Sequence, residues 1–325
     1  MAVELYHNLS PFYKELARKS LSENPSHVSA HLSAFKRWLS SCPHLTVPQD
    51  DIFLLGFLRY AHFDHATAQK RIDNFCSIRC SDKHGMTEWF DYPELTDPIV
   101  DEYFQSGILV PLGIIDSGVQ MFLLRLNAWH SERLPQVKMR AMNNMSFERF
   151  IVDERSQIGG IGIFIDLSNA TSKQIGDWTD AKTAKRAMKL LQEATPGRTK
   201  HLIFYKESKA FDIAFKVFEF WLSDKMRQRI LRVKDDKEKA FKKIPGLQNV
   251  MPEEYGGQNG PINDLIAMDK RNFKEFYSQP QRLNDIKVDE SKRPLSAQNY
   301  MREYKDMEGM TMGNQGTFIQ MNPDD

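Results

Sequence analysis

Four short apolar runs, separated by helical stretches, occupy residues 118–233 and limit the fold more than any other feature of the sequence. Two of them, "IGIFIDL" (161–167) and "HLIFYK" (201–206), are continuous apolar segments, which is typical of strands covered on both faces. The other two are "GVQMFLLRLNA" (118–128) and "RILRV" (229–233). Helical patterns fill the intervals, at residues 135–154, 177–194 and 209–224. This alternation predicts a parallel or mixed α/β sheet with helices on its faces.

The first 95 residues show only helical patterns. In "SHVSAHLSAFKRWLSS", Val28, Leu32, Phe35 and Leu39 recur at the spacing of one helix face. The segments "QDDIFLLGFLRYA" and "HATAQKRIDNFCSIRC" continue in the same way, and no strand pattern interrupts them. We therefore expect a helical N-terminal domain at residues 1–95.

The rest of the chain divides into an α/β domain and a polar tail. Prolines 98 and 111 with glycines 107 and 113 are typical of a linker, and the α/β domain is expected at residues 96–275. After "MPEEYGG" (251–257) one weak helix covers roughly residues 261–277. The remaining residues are too polar for burial to offset the entropy of ordering them. A largely disordered tail is therefore expected at residues 276–325.

Composition excludes several classes of function. The 44 Lys and Arg residues face 43 Asp and Glu, a net charge of +1, which argues against a dedicated nucleic-acid binder. Three cysteines, Cys42, Cys76 and Cys80, indicate free thiols in a reducing compartment. The sequence has neither the apolar core of a signal peptide nor an apolar run of about 18 residues. We expect a monomeric cytoplasmic protein.

A search for catalytic or metal-binding motifs finds no convincing set. The glycine-rich "IGGIGIF" precedes a strand, whereas a dinucleotide-binding loop follows one and opens a helix. In "HFDH", His62 and His65 have no third ligand in register, which is more typical of a solvated turn than of a metal site. Asp166 ends an apolar strand without a neighbouring nucleophile or base, which favours a structural role. The sequence predicts a protein that is not an enzyme and uses neither metal nor cofactor.

The helix "FDIAFKVFEFWL" (211–222) is apolar over more of its circumference than a surface helix needs. On a helical wheel Asp212, Lys216 and Glu219 fall within an arc of about 60°, and the apolar residues cover roughly 220°. One stripe about 100° wide is enough to pack a helix on a domain. The remaining apolar surface must face another protein layer, a ligand or a membrane surface.

Basic residues flank this aromatic helix in the sequence. Lys182, Lys185, Arg186 and Lys189 share one face of the preceding helix, and a solvated surface explains each of them singly. Further basic residues stand at Arg198, Lys200, Lys225, Arg227 and Arg229. Apolar residues ringed by basic ones suit a membrane surface that carries anionic lipid.

Four segments resemble a known family when taken together and in order. They are "DDIFLLGFLRYAHFDHATAQKRIDNF" (50–75), "IGIFIDLSN", "HLIFYKESKAFDIAFKVFEFWLSDKMRQRI" and "MPEEYGG". Over roughly residues 25–275 they resemble the CRAL-TRIO lipid-binding proteins, particularly the group of tocopherol and retinaldehyde carriers. "MPEEYGG" matches the "LP-x-EYGG" that ends the domain in this family. Two departures stand out: Ala61 replaces a basic residue, and Lys206, Glu207 and Ser208 replace the usual Asn-x-Pro.

The resemblance implies an architecture and a set of site residues. A helical N-terminal domain packs on a CRAL-TRIO α/β cage with a mixed or parallel sheet, and a lid helix at about 209–222 closes an apolar pocket. The residues expected in the pocket and its lid are Phe164, Phe211, Phe215, Phe218 and Trp221. Arg198, Lys200, Lys225 and Arg229 fall on the basic positions of the tocopherol-carrier group and are expected to bind phosphoinositide.

The resemblance also implies a function, and two alternatives stay open. We expect binding and intermembrane transfer of one neutral or weakly polar lipid, which is tocopherol-, retinoid- or phospholipid-like, with docking to phosphoinositide membranes. The first alternative is a phosphoinositide-binding adaptor or sensor without net transfer, whose tail recruits a partner. The second is a hydrolase of lipid esters. Vesicle-to-vesicle transfer separates the first two hypotheses, and turnover of a bound ester would support the third.

Overall fold

The computed structural model describes residues 9–84, 86–279, 282–298 and 300–301, and the side chains of residues 217, 218 and 282 lie outside this description. The N-terminal region is helical, as predicted. Its helices are α1 (Pro11–Leu21), α2 (Pro25–Ser40), α3 (Asp51–Tyr60) and α4 (His65–Cys80), and a two-residue strand, β1 (Leu45–Thr46), lies between α2 and α3. Asp50 and Asp64 cap α3 and α4 by accepting hydrogen bonds from the backbone N–H groups of Phe53 and Thr67.

A five-stranded mixed sheet forms the centre of the second region. Its strands are β2 (Leu109–Ile114), β3 (Gln120–Arg125), β4 (Ile161–Asp166), β5 (Thr199–Tyr205) and β6 (Ile230–Lys234). They lie side by side in chain order; β2 is antiparallel to β3, and the other three pairs are parallel. The four strands expected from the sequence are confirmed.

Strand β2 lies where the sequence indicated a linker. Pro111 lacks a backbone N–H and is tolerated because β2 is the edge strand. Gly113, at φ +130°, follows an irregularity in the register with β3. Proline and glycine therefore mark an irregular edge strand here.

Helices cover both faces of the sheet and complete the chain. They are α5 (Pro98–Ser106), α6 (Gln136–Ile151), α7 (Glu154–Gly159), α8 (Ser172–Thr179), α9 (Ala181–Lys189), α10 (Lys209–Trp221), α11 (Asp224–Arg227), α12 (Lys237–Lys243), α13 (Leu247–Val250) and α14 (Ile262–Ser278). One π-helical turn, Leu190–Ala194, extends α9. The predicted helix at 177–194 is therefore split between α8 and α9, and the predicted helix at 209–224 ends at Trp221.

The two faces of the sheet bury separate hydrophobic cores, because successive side chains of a strand point to opposite faces. Phe122, Ile165 and Phe204 pack with α6, α8 and α10 on one face. Phe164 and Ile203 pack with α12, α13 and α14 on the other. A third core fills the N-terminal region.

The segment after α14 differs from the expected disordered tail. Residues 282–298, here called the C-terminal strap, pack along the N-terminal helices, and strand β7 (Lys287–Val288) pairs antiparallel with β1. Leu283 and Ile286 are buried in the N-terminal core. Arg293 forms a buried ion pair with Asp73 at 2.5 Å. A few apolar anchors and one buried charge order this segment although its overall composition is polar. Residues 302–325 lie outside the described residues.

Candidate functional site

A cavity of about 240 Å³ lies between one face of the sheet and the helices that cover it. Alternate residues of the strands form its floor: Ile161, Ile163 and Ile165 from β4, Leu202 and Phe204 from β5, and Ile230 from β6. Helix α6 contributes Phe147 and Phe150 to the wall, and Met188 and Leu191 come from α9 and its π-helical turn. Most of the lining is apolar, as in pockets that enclose small hydrophobic ligands.

Helix α10 covers one side of the cavity and is here called the lid helix. Its inner side presents Phe215 to the cavity, and Leu222 just after the helix also lines it. Phe215 packs on Phe204 of the sheet with ring centroids 5.5 Å apart. On the outer side Ile213 and Phe220 are 56% and 48% exposed. The lid helix is therefore apolar on an inner and an outer face, which is the property that its sequence indicated.

The residues predicted for the pocket and lid occupy different environments in the structure. Phe215 lines the cavity. Phe211 is fully buried against Phe204 and Phe215, without reaching the cavity lining. Trp221 is buried at the end of the lid helix, where its carbonyl accepts a hydrogen bond from Gln192 Nε2 at 2.9 Å. The side chain of Phe218 lies outside the described residues.

The placement of Phe164 in the pocket is corrected by the structure. Phe164 lies on the opposite face of the sheet, with its ring 5.6 Å from that of Tyr205 and 6.1 Å from that of Tyr255. Its neighbours in β4, Ile163 and Ile165, face the cavity instead. The run "IGIFID" is apolar throughout, so it carries no alternation that assigns residues to faces.

Polar contacts hold both ends of the lid helix. At its N-terminal end Arg232 of β6 forms ion pairs with Asp212 and, at 2.7 Å, with Glu207. At its C-terminal end the side chain of Gln192, in the π-helical turn, contacts Trp221 and accepts a hydrogen bond from the backbone N–H of Ser223 at 2.9 Å. These contacts fix the lid helix to strand β6 at one end and to the π-helical turn at the other.

Arg198, Lys200, Lys225 and Arg229, here called the basic patch, come close enough to perturb one another. The positive charge of Arg229 lowers the pKa of each of the other three. Arg198 is mostly buried and donates to the backbone carbonyls of Gln157 and Ile158. None of the four forms an ion pair with any carboxylate in the described ranges. The fold thus concentrates positive charge without ion-paired carboxylates beside the end of the lid helix.

Burial and mutual repulsion lower the pKa values of the basic patch. For Lys200, burial and then the charge of Arg198 lower the pKa to about 8. For Arg198, burial and then the charge of Arg229 lower it to about 10. A bound anion would relieve this repulsion, and groups with such shifts are more frequent at functional sites than elsewhere.

His62 belongs beside the basic patch, although the sequence did not indicate it. Burial, followed by the charges of Arg198, Lys225 and Lys200, lowers its pKa. The residue lies in the turn after α3 at φ +52°. Its partner in "HFDH", His65, instead places Nε2 2.9 Å from His31 Nδ1. The sequence offered one indication of this placement. His62 directly follows "FLRYA", which belongs to a segment that resembles the CRAL-TRIO family.

Two other conspicuous polar residues have structural roles. Arg59 of "FLRYA" is fully buried and forms ion pairs with Glu23 at 2.8 Å and Glu154 at 3.0 Å. Asp166 accepts a hydrogen bond from Tyr255 Oη at 2.5 Å and another from the backbone N–H of Ser168 at 2.8 Å. The "MPEEYGG" turn is thereby attached to the end of β4, in agreement with the structural role predicted for Asp166.

Neither a membrane-spanning helix nor a metal site occurs among the described residues. None of the described helices combines the length and hydropathy that crossing a bilayer requires. Within the same ranges, no three His, Cys, Asp or Glu side chains meet where they could hold a metal ion.

Comparisons with known proteins find similar sequences and a similar solved structure. Alpha-tocopherol transfer protein-like of Mus musculus is 24% identical over 307 residues, which cover 87% of each chain. Clavesin-2 of Rattus norvegicus is 26% identical over 257 residues, 78% of this chain and 76% of its own. Among solved structures, Sfh5 aligns with a TM-score of 0.47 and 13% identity, over 83% of this chain and 99% of its own.

A mixed sheet, a lid helix and an apolar cavity between them form the kind of enclosure in which proteins hold small hydrophobic ligands. The sequence profile of the CRAL/TRIO domain matches residues 104–257, which span the chain from α5 to the end of the "MPEEYGG" turn. The chain therefore carries a CRAL/TRIO domain. The resemblance and the fold class drawn from the sequence are confirmed.

Proposed function

We propose that this chain binds one hydrophobic lipid in the cavity and transfers it between membranes, docking through the basic patch to phosphoinositide. The observation that carries the proposal is the lid helix, whose inner face lines the cavity while its outer face exposes Ile213 and Phe220. These two residues are seven positions apart and therefore share one side of the helix. A lid that touches both ligand and membrane couples docking to release.

The energies suit reversible docking. Fully burying an exposed Ile or Phe side chain contributes about 1.5–3 kcal/mol, so burying the exposed halves of Ile213 and Phe220 in a bilayer contributes about 1 kcal/mol each. Each cation of the basic patch near anionic lipid contributes about 1 kcal/mol. The sum supports association that a lipid carrier can reverse, and it falls far below the irreversible insertion of a spanning helix.

The similar proteins favour transfer over catalysis. One relative is named an alpha-tocopherol transfer protein-like protein, and we propose that this chain likewise carries a lipid and is not an enzyme. We further propose a cytoplasmic monomer that contacts membranes transiently. The division into residues 1–95 and 96–275 is retained as part of this proposal, with the C-terminal strap assigned to the N-terminal unit. The adaptor or sensor without net transfer remains the second candidate, because the basic patch serves either function.

Transfer between vesicles tests the proposal. Donor vesicles carry a fluorescent tocopherol analogue, and acceptor vesicles contain phosphatidylcholine with or without phosphoinositide. We expect the protein to accelerate transfer, and to do so more strongly with phosphoinositide acceptors. Replacing Ile213 and Phe220 by Asp should slow transfer at least about tenfold. Met268→Asp is the matched control, since Met268 is 43% exposed on α14, away from the lid.

Charge reversal at Lys225 and Arg229 tests the basic patch separately. Binding to phosphoinositide vesicles should weaken, whereas binding to neutral vesicles should stay unchanged, because only the first depends on the patch. Equal binding of the variant and the original protein to phosphoinositide vesicles would show that the basic patch does not contribute to docking. Binding of the analogue without any transfer would instead favour the sensor.

A further inference from the structure

Among the described residues two charged side chains line the cavity, Arg140 and Glu148, and only Glu148 is neutralised. Glu148 forms a buried ion pair with Arg79 and accepts a hydrogen bond from Tyr92 Oη at 2.6 Å. Tyr277 Oη lies 3.5 Å from its second carboxylate oxygen. The negative charge of Glu148 is therefore neutralised by Arg79, on the side of the wall away from the cavity. A ligand does not have to supply a positive charge to this residue.

Arg140 has no comparable compensation. Its Nη2 donates to the backbone carbonyl of Trp178 at 3.1 Å, and its Nε is buried without a hydrogen-bond partner. No carboxylate in the described part of the chain forms an ion pair with it. Burial lowers the pKa of Arg140 to about 10, and the more distant charge of Asp180 opposes this effect only in part. A guanidinium remains charged at this pKa, so the cavity wall contains a cation that lacks a counter-ion.

The surroundings of Arg140 form the polar end of the cavity. Asn143 and Asn144 follow it by three and four residues, so all three lie on one side of α6 and line the cavity. Asn144 donates to the backbone carbonyl of Trp89 at 3.1 Å, and the Trp89 ring centroid lies 5.5 Å from the guanidinium carbon. Beyond this polar end, the isoleucines of β4 that form the cavity floor offer only apolar contact. This arrangement suits a ligand with one polar end and one apolar body.

We infer that the cavity binds a single-chain amphiphile whose polar end is a carboxylate, with the carboxylate at Arg140 and the apolar chain along the sheet. The inference rests on the proposed lipid-binding function and narrows its ligand class. A carboxylate accepts hydrogen bonds from Nε and an Nη of the same guanidinium and supplies the missing negative charge. An alcohol or ester satisfies Nε but leaves the cation uncompensated. The cavity volume of about 240 Å³ favours one chain over a two-chain phospholipid.

Competition between matched ligands tests the inference on the full chain. Oleic acid, methyl oleate and oleyl alcohol share one apolar chain and compete with a bound fluorescent tocopherol analogue. The acid should displace the analogue at a concentration at least about tenfold lower than the ester or the alcohol, the effect of a charge-assisted hydrogen bond. Arg140→Gln should remove this preference while the affinity for the ester is retained, and Arg140→Lys should keep part of it.

Lys138→Gln is the matched control, because it removes one positive charge from the same helix at a residue that is 39% exposed and does not line the cavity. It should keep the preference for the acid. Equal displacement by acid and ester in the original protein, or an unchanged preference in Arg140→Gln, would overturn the inference and leave lipid binding intact. Failure of the analogue and of oleic acid alike to bind would overturn the proposed function. If Arg140→Gln does not fold, the original protein and Arg140→Lys still decide the question.

Discussion

The guanidinium carbon of Arg232 lies 4.9 Å from the centroid of the Phe215 ring, so a cation on the edge strand β6 covers a side chain that lines the cavity. The same guanidinium forms an ion pair with Asp212, which lies three residues before Phe215 on the lid helix. One residue therefore contacts both the inner face of the lid and its N-terminal end. We expect this contact to oppose opening of the lid.

Asp212→Asn should loosen the lid without unfolding the protein. The Asp212 side chain is 55% exposed, and an exposed ion pair contributes about 0.2–1 kcal/mol. Transfer of the tocopherol analogue should therefore accelerate up to about fivefold, with little change in the thermal midpoint. Asp224→Asn removes an equal charge from α11, where no ion pair is broken among the described residues, and should leave the rate unchanged. Equal rates for all three proteins would show that Arg232 does not restrain the lid.

Phe215→Asp should abolish uptake of the tocopherol analogue while cooperative unfolding persists. Phe215 lines the cavity, so the new carboxylate would meet the apolar chain of the ligand and draw water into the cavity. Equilibrium binding and a thermal scan of the same sample measure the two effects. Loss of the folded state in this variant would indicate instead that Phe215 is an ordinary core residue.

Phe211 provides the contrast to Phe215 on the same helix. It is fully buried between Phe204 and Phe215 and does not line the cavity. Phe211→Ala should therefore lower the free energy of unfolding by about 3–5 kcal/mol. Any molecules that remain folded should still take up the analogue. A loss of uptake without loss of stability would assign Phe211 to the binding site.

The sequence predicted the strands well but did not determine which side chains face the cavity. Continuous apolar runs identified β4 and β5 as buried strands. The same continuity concealed that Ile163 and Ile165, and not Phe164, face the cavity. Which face holds the cavity depends on how the covering helices pack. Those contacts join residues far apart in the sequence, so a local pattern does not reveal them.

The candidate sites show the same division between local and long-range information. Helical spacing predicted the two apolar faces of the lid helix correctly. In contrast, the sequence did not indicate that Arg140 lacks a counter-ion. Its neighbours Trp89 and Trp178 belong to other segments of the chain and carry no charge. His62 was missed for the same reason, since the cations around it follow more than a hundred residues later.

Binding to anionic vesicles should weaken as the pH rises from about 7 to about 9. In the unbound protein Lys200 has its pKa lowered to about 8, so it loses its proton across this range and the basic patch loses a charge. In the unfolded chain the ordinary pKa of 10.5 keeps Lys200 protonated. Its contribution to folding stability therefore rises with pH from about 8 toward about 10.5, opposite to the trend in binding.

Lys200→Arg tests this pH dependence, because a guanidinium stays charged throughout the range. Vesicle sedimentation at several pH values should give a flatter profile for this variant than for the original protein. The comparison also cancels any change in the charge of the lipid itself. Parallel profiles for the two proteins would show that Lys200 does not titrate at the membrane-binding surface.

The C-terminal strap should be needed for the stability of the N-terminal helices, whereas the sequence predicted a largely disordered tail at residues 276–325. Arg293 is buried and contacts Asp73, whose side chain is 1% exposed. Removing one partner of a buried ion pair costs about 3–5 kcal/mol, so Arg293→Ala should lower the urea midpoint of unfolding markedly. Lys292→Ala is the control, since the Lys292 side chain, which forms an ion pair with Asp289, is 62% exposed.

Ending the chain at residue 280 should reproduce or exceed the effect of Arg293→Ala, whereas ending it at residue 301 keeps all of these contacts. A chain ending at residue 280 that unfolds at the same urea concentration as the full chain would show that the strap only rests on the N-terminal helices.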